Sequence, residues 1–424
     1  MNKINDRIVW LNNIVKNNSI EFFLSAFSQI IYLLQTVIQN KIFTNFFSTN
    51  VFGEWSLLMS VQTLISMIPF TAFEQGVFKF AHQYREKDEE VFYSSITFVY
   101  ILGFTVYIIF FGVGHIINDS DIFQMPYLMP FLIYVFTEIY KNTFVVIDNA
   151  YRNRKRVFII RITEFVIRVL FMMILFILSI FTIKNVLIIM ILSNILTYII
   201  QSPLFSKIHL KIDWSAFKKI WNEIIIFAMP LLIWAIFGWM QNMISRCYLG
   251  LLLDYESVAM YSVLTSISFF VPNAIYAVIN TYIMPIAFTK SKGFTRIKML
   301  KYISLVGGIM VIYFVFILFG GKYLLLILTA EKYLTVLKYL PFTTASSIIY
   351  VLAMLSTVEI YRRGETKKLL FSTILPGVLM STVGYFLINT WGIFGAVINY
   401  IMGHCVYASF TFIVVFNKKN LSRY

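Results

Sequence analysis

Among the charged side chains inside the long apolar stretches of this sequence, seven are not explained by topology: Glu138, Lys141, Arg161, Glu164, Arg168, Arg246 and Lys338. Glu138 and Lys141 are three residues apart, and Arg161, Glu164 and Arg168 are three and four apart, so each set shares one helix face. A charge at the centre of a bilayer costs about 2.5–3.5 kcal/mol on insertion scales, so such groups face a protein interior and are functional candidates. Counted outward from the basic turn near 151–156, Lys141 and Glu164 lie at similar depth, as do Glu138 and Arg168 about one turn further in. Two interhelical ion pairs are expected, with Arg161 left unpaired near the cytoplasmic face. Two roles stay open at this point. The ladder pins two helices together, or it lines a net cationic cavity for an anionic substrate. Five of the seven charges are positive, which favours an anion over a cationic drug.

The remaining candidates are weaker. Arg246 sits beside Cys247, about a turn below an outer connector, and Lys338 is placed to snorkel toward headgroups. Glu74, Asp148 and Glu359 fall at cytoplasmic helix ends, where capping, gating and substrate contact are all open. His404 reads as a hydrogen-bonded core histidine rather than a proton relay. The sequence has no P-loop, no HExxH zinc-protease motif and no nucleophile elbow. Cys247 and Cys405 lie far apart in apolar runs, with no CxxC, so neither redox chemistry nor zinc binding is expected. No catalytic residue, metal or cofactor is therefore expected.

The elements that must carry these residues are helices. Of the 424 residues, 59% are hydrophobic and 13% charged, and the mean hydropathy is +0.78. Soluble domains carry about 25% charged residues. Apolar stretches fall at roughly 20–40, 51–73, 92–117, 125–147, 157–182, 185–205, 223–249, 257–288, 302–328, 336–360, 369–390 and 393–416. Each is long enough to span a bilayer as a helix, the form in which an isolated segment satisfies its own backbone. The expected class is an all-α integral membrane protein of about twelve transmembrane helices. The first eighteen residues lack the apolar core of a signal peptide and are expected to stay in the mature chain.

The net charge of +15 follows topology. Most of the 35 Lys and Arg lie at the termini and in alternate connectors: HQYREKDEE, YRNRKR, KIHLKIDWSAFKK, TKSKGFTRIKMLK and YRRGETKK. The other connectors are short, holding Lys41, Lys184, Lys322 and Lys332 beside several acids. The bias places both termini in the cytoplasm and removes any need to invoke nucleic acid. WSLLMS at Trp55–Ser60 matches YSVLTS at Tyr261–Ser266, and YRNRK at Tyr151–Lys155 matches YRRGE at Tyr361–Glu365, both about half the chain apart. Two six-helix lobes follow, 1–206 and 223–424, joined by an interfacial amphipathic linker over 207–222. Pro69, Pro230, Pro272 and Pro376 fall inside helices, where each can introduce a kink.

Several stretches together resemble the Wzx-type polysaccharide flippases of the multidrug/oligosaccharidyl-lipid/polysaccharide (MOP) exporter superfamily. VFGEWSLLMSVQTLISMIPFTAFEQGVFKF (51–80) looks like the family's second helix, with an acidic FEQG turn. IIIFAMPLLIWAIFGWMQNMISRCYLGLLLDYESVAMYSV (224–263) is similar to its seventh-helix signature. Glu331–Tyr333 resembles its entry to helix ten, and WGIFGAVINYIMGH (391–404) its Gly-rich last helix. Where the family often has Asp before the Arg of helix seven, this chain has Ser245, which leaves Arg246 without a local partner.

The resemblance implies a MATE-like fold and translocation of undecaprenyl-diphosphate-linked oligosaccharide repeat units, of O-antigen or capsule type, in lipopolysaccharide biosynthesis. It implies movement across the bacterial inner membrane by alternating access, coupled to an ion gradient. Membrane lipids, a polysaccharide polymerase and chain-length machinery are the implied partners. The residues assigned to substrate are Arg168, Arg161, Lys141 and Arg246; those assigned to coupling or ion pairing are Glu138, Glu164 and Glu74. A drug/cation antiporter of the same superfamily is the first alternative. A membrane-embedded polysaccharide polymerase, an acyltransferase and a scaffold are further ones.

Overall fold

The computed structural model describes residues 2–85, 88–117, 126–205, 208, 213–288, 296–363 and 367–416. Among them there is no strand, and each of the twelve apolar stretches is built largely from helix. The helices are α1 (Asn2–Phe46), α2 (Thr49–Ile65), α3 (Ala72–Arg85), α4 (Glu89–Ile117), α5 (Leu128–Ala150), α6 (Arg154–Ile177), α7 (Ile183–Phe205), α8 (Trp214–Leu252), α9 (Tyr255–Phe288), α10 (Arg296–Leu328), α11 (Leu340–Arg363) and α12 (Lys367–Phe416). A π-helical segment, Ser66–Thr71, joins α2 to α3, and a 3₁₀ segment, Glu331–Tyr339, leads into α11. Among the described residues nine helices are long and apolar enough to cross a membrane. α6 falls outside that set because Arg161, Glu164 and Arg168 interrupt its apolar run. Side chains such as Phe319, Ile226 and Leu251 are 84%, 76% and 75% exposed, a surface suited to lipid rather than water. The chain is a multi-pass membrane protein of helical architecture.

Two backbone breaks shape the helices. Ile68 has φ −119° and ψ 105°, extended values inside the π segment. The following Pro69 disfavours the helical region for its predecessor, which accounts for the break. Pro230, Pro272 and Pro376 leave their helices without such a break. α12 folds at Gly392, which has φ +58° and ψ −132° and so occupies a region open to glycine. A Cβ on Gly395 would lie 1.9 Å from the Leu387 carbonyl oxygen, so the two arms of α12 meet through a residue without a side chain. Helices 369–390 and 393–416 are these two arms.

The chain gathers into two compact units. The first holds Met1–Gln39 and Pro69–Leu231, the second Asn40–Ile68 and Leu232–Tyr424. This division differs from the halves 1–206 and 223–424, because the end of α1 and all of α2 pack with the C-terminal helices. Within the second unit a Cβ on Gly53 would stand 1.7 Å from the Tyr255 carbonyl oxygen, so α2 touches the start of α9 directly. Lys41 donates to the carbonyls of Leu326 and Thr329 at the end of α10, and Lys332 donates to the Phe47 carbonyl beyond α1. These ammonium groups satisfy carbonyls that a helix C-terminus leaves open. Trp239 Nε1 also donates to the Ser60 carbonyl at 2.9 Å.

The expected linker over 207–222 lies partly outside the described residues. Its second half is not a separate interfacial helix but the first turns of α8. Asp213 Oδ1 caps that helix, accepting from the Ser215 and Ala216 amides at 2.9 and 3.2 Å. Hydrogen bonds from the Ser215 side chain and these amides hold the Asp213 carboxyl below the usual carboxylate range. Asp254 caps α9 in the same way, accepting from the Ser257 amide at 2.7 Å.

Candidate functional site

The first unit holds a buried charge cluster at the meeting of α5, α6 and α7. Lys141 Nζ donates to Glu138 Oε1 at 2.8 Å, Glu164 Oε1 at 2.6 Å and Asn194 Oδ1 at 3.1 Å. Arg168 Nη2 lies 2.7 Å from Glu138 Oε2, 2.7 Å from Glu164 Oε1 and 3.0 Å from Asn194 Oδ1. Both expected interhelical pairs, Lys141 with Glu164 and Glu138 with Arg168, are present. Arg161 is not left unpaired: its Nη1 reaches Glu164 Oε2 at 3.2 Å, and its guanidinium lies 5.0 Å from the Tyr32 ring centre. A carboxylate offers two oxygens and about four acceptor sites, so Glu164 serves all three cations at once.

Three cations face two carboxylates, which leaves one positive charge in excess. Access is graded across the cluster. Lys141 is 0% exposed, Glu164 2%, Arg168 6%, Glu138 13% and Arg161 20%. A fully enclosed ammonium with three acceptors has no remaining proton for a ligand, so Lys141 holds the helices together. Arg161 and Arg168 stand nearer the open edge. Buried pairs add little net stability over apolar packing, but removing one partner leaves a stranded charge and costs about 3–5 kcal/mol.

Sequence reasoning missed the third helix of this cluster. Asn194 accepts from both cations and donates from Nδ2 to Thr137 Oγ1 at 3.1 Å, and Gln201 Nε2 reaches the Lys141 carbonyl at 3.4 Å. The signal was present: Asn194 is a lone amide inside the run VLIIMILSNILTYII, where a polar side chain needs a partner on another helix.

Glu74 stands apart from the cluster, in the first turn of α3 just past the Pro69 break. Its Oε1 accepts from Thr143 Oγ1 at 3.1 Å, and Tyr100 shares that hydroxyl. No cation pairs with it among the described residues. Asp148 is a structural acid at the α5–α6 turn, bonded to Arg156 at 3.0 Å and Asn153 at 3.3 Å. In the second unit, Arg246 Nη1 meets Met243 Sδ at 3.3 Å and Nη2 meets Thr265 Oγ1 at 3.4 Å, while Nε has no partner. Among the described residues no carboxylate pairs with Arg246. Lys338 is exposed in the 3₁₀ segment, over the Tyr339 ring at 4.9 Å. His404 is buried, bonded to Ser346 at 3.1 Å and packed between Tyr350 and Tyr400.

Neither a family model nor a curated protein matches this sequence. Solved structures do match its architecture. An inward-facing multidrug resistance MATE family transporter of the MOP superfamily aligns with TM-score 0.72 at 14% identity, covering 90% of this chain and 93% of that one. The fold is that of the MOP superfamily. The lipid II flippase MurJ in an inward closed conformation aligns with TM-score 0.68 at 14% identity, over 93% of this chain and 87% of that one. An outward-facing MATE transporter of the MOP superfamily aligns with TM-score 0.59 at 14% identity, over 96% and 95% of the two chains. The MOP fold therefore accounts for nearly the whole chain, and the proteins that share it here are transporters and a flippase.

Proposed function

We propose that this protein is a flippase that moves an undecaprenyl-diphosphate-linked oligosaccharide across the bacterial inner membrane by alternating access. The observation that carries this reading is the unbalanced intramembrane charge. The cluster of the first unit keeps one positive charge in excess, and Arg246 in the second unit faces no carboxylate among the described residues. A half-buried guanidinium whose enclosed Nε is unmet is a donor set awaiting an anion, and the planar fork of arginine matches phosphate oxygens. In this reading each unit by itself offers cations to anionic groups of the substrate, Arg168 and Arg161 in the first and Arg246 in the second, while Lys141, Glu138 and Glu164 preserve the cluster. The polyprenyl tail stays in lipid. Glu74, a carboxylate with one hydroxyl partner beside a helix break, supplies the ion-coupling group. Both termini lie in the cytoplasm, as the basic connectors require.

Glu74 also favours a second reading, a cation or drug antiporter, because a half-buried carboxylate with no cation partner among the described residues is what a cationic substrate needs. One complementation experiment separates the two. Arg246→Gln removes the charge and keeps the approximate size of the side chain. In a strain lacking its own flippase, this variant is expected to lose surface polysaccharide at normal protein level. Polymer at wild-type level would remove Arg246 from the substrate path, and drug resistance conferred by the wild-type protein would favour the antiporter.

A further inference from the structure

One face of α1 carries hydrogen-bonding capacity that the charge cluster does not use. Tyr32, Gln35 and Gln39 are spaced i, i+3 and i+7, so they share a side of the helix, with Gln35 about 4.5 Å and Gln39 about 10.5 Å along the axis from Tyr32. The Arg161 guanidinium lies over Tyr32, which sets this face against α6 at the accessible edge of the cluster. Gln35 is 3% exposed and its Oε1 has no partner among the described residues. Gln39 Nε2 and Arg168 Nε are likewise buried and unmet. Tyr32, at 46% exposed, leaves the face open at its aromatic end.

An unmet buried polar group costs about 1–3 kcal/mol, and hydrocarbon supplies no water to relieve it. Two such atoms of opposite sense on one face of α1, an acceptor on Gln35 and a donor on Gln39, with an aromatic ring on the same face, match a specific ligand chemistry. A sugar hydroxyl both donates and accepts, and a pyranose presents a flat C–H face that packs on an aromatic ring. Hydrocarbon tails need no amides, and a bare diphosphate offers only acceptors.

We propose that Tyr32, Gln35 and Gln39 form a saccharide-recognition face, with Arg161 at its edge receiving an acidic sugar substituent. The proposal rests on the flippase reading and names which part of the substrate this face holds. Gln35 and Gln39 each form hydrogen bonds to ring hydroxyls, and Tyr32 stacks on a ring.

The test is a binding measurement on the full-length protein in detergent with two probes: sugar-free undecaprenyl diphosphate, and the lipid-linked oligosaccharide purified from the native strain. Gln35→Leu and Gln39→Leu are each expected to weaken the glycolipid roughly tenfold, leaving undecaprenyl diphosphate unchanged. Tyr32→Leu gives the same selective loss, whereas Tyr32→Phe, which keeps the ring, retains binding. Retained undecaprenyl diphosphate binding also certifies that each variant is folded. Unchanged glycolipid binding in all three loss variants, or an equal loss for both probes, overturns the proposal while the flippase reading stands. Wild-type protein that binds neither probe overturns both together.

Discussion

Lys141 is the residue on which the first unit's charge balance turns. Its ammonium is fully enclosed and holds α5, α6 and α7 through Glu164 and Asn194. Lys141→Ala is expected to destabilise the protein by about 1–3 kcal/mol, because Glu138, Glu164 and Asn194 lose a buried hydrogen-bond donor, although Arg161 and Arg168 still balance the two carboxylates. A lowered thermal midpoint in detergent would check this, and an unchanged midpoint would show the cluster to be slack. Arg161→Gln, at the open edge, should leave that midpoint nearly unmoved, since its ion pair is partly exposed and such pairs contribute little. The pairs in this cluster were legible in the sequence because two helices joined by a tight turn have fixed relative depth. The further bonds of Glu164, to Arg168 and Arg161, were not, because depth counting assigns one partner per charge and a carboxylate accepts several. Gln35 and Gln39 were passed over for a related reason: an amide carries no charge to mark it against an apolar run.

At the scale of elements, two glycine positions and one proline set the helix geometry. Gly392→Val places a branched side chain at φ +58° and is expected to cost about 1–3 kcal/mol, read as lower membrane abundance and a lower thermal midpoint. Gly53→Val has the stronger effect on folding, since its first added atom would overlap the Tyr255 carbonyl oxygen. The order of apolar stretches, the Pro69 break and the division of the last 50-residue helix into two arms all follow from the sequence, through hydropathy, the pre-proline constraint and Gly392. The grouping of α2 with the C-terminal helices does not. It depends on contacts between residues more than 200 positions apart, such as Gly53 with Tyr255, which no local pattern encodes.

For the whole molecule, composition and the alternation of basic connectors give the membrane class and its expected orientation. Single cysteines in a background lacking Cys247 and Cys405 test that orientation directly. Lys184→Cys should react with an impermeant maleimide in intact spheroplasts, and Arg152→Cys only after permeabilisation. The reverse pattern would place the termini outside. The MOP fold extends over nearly all of the chain at low identity, so the likeness gives the fold, and the proposed substrate rests on this chain's own side chains. The excess of intramembrane cations is the feature on which the substrate assignment stands. Its most direct test is a flipping assay in proteoliposomes loaded with the fluorescently marked lipid-linked oligosaccharide. Wild-type protein is expected to expose the inner-leaflet glycolipid to an external quencher, and Arg246→Gln, reconstituted at equal density, is expected not to. Equal exposure with wild-type, variant and protein-free vesicles would contradict the account.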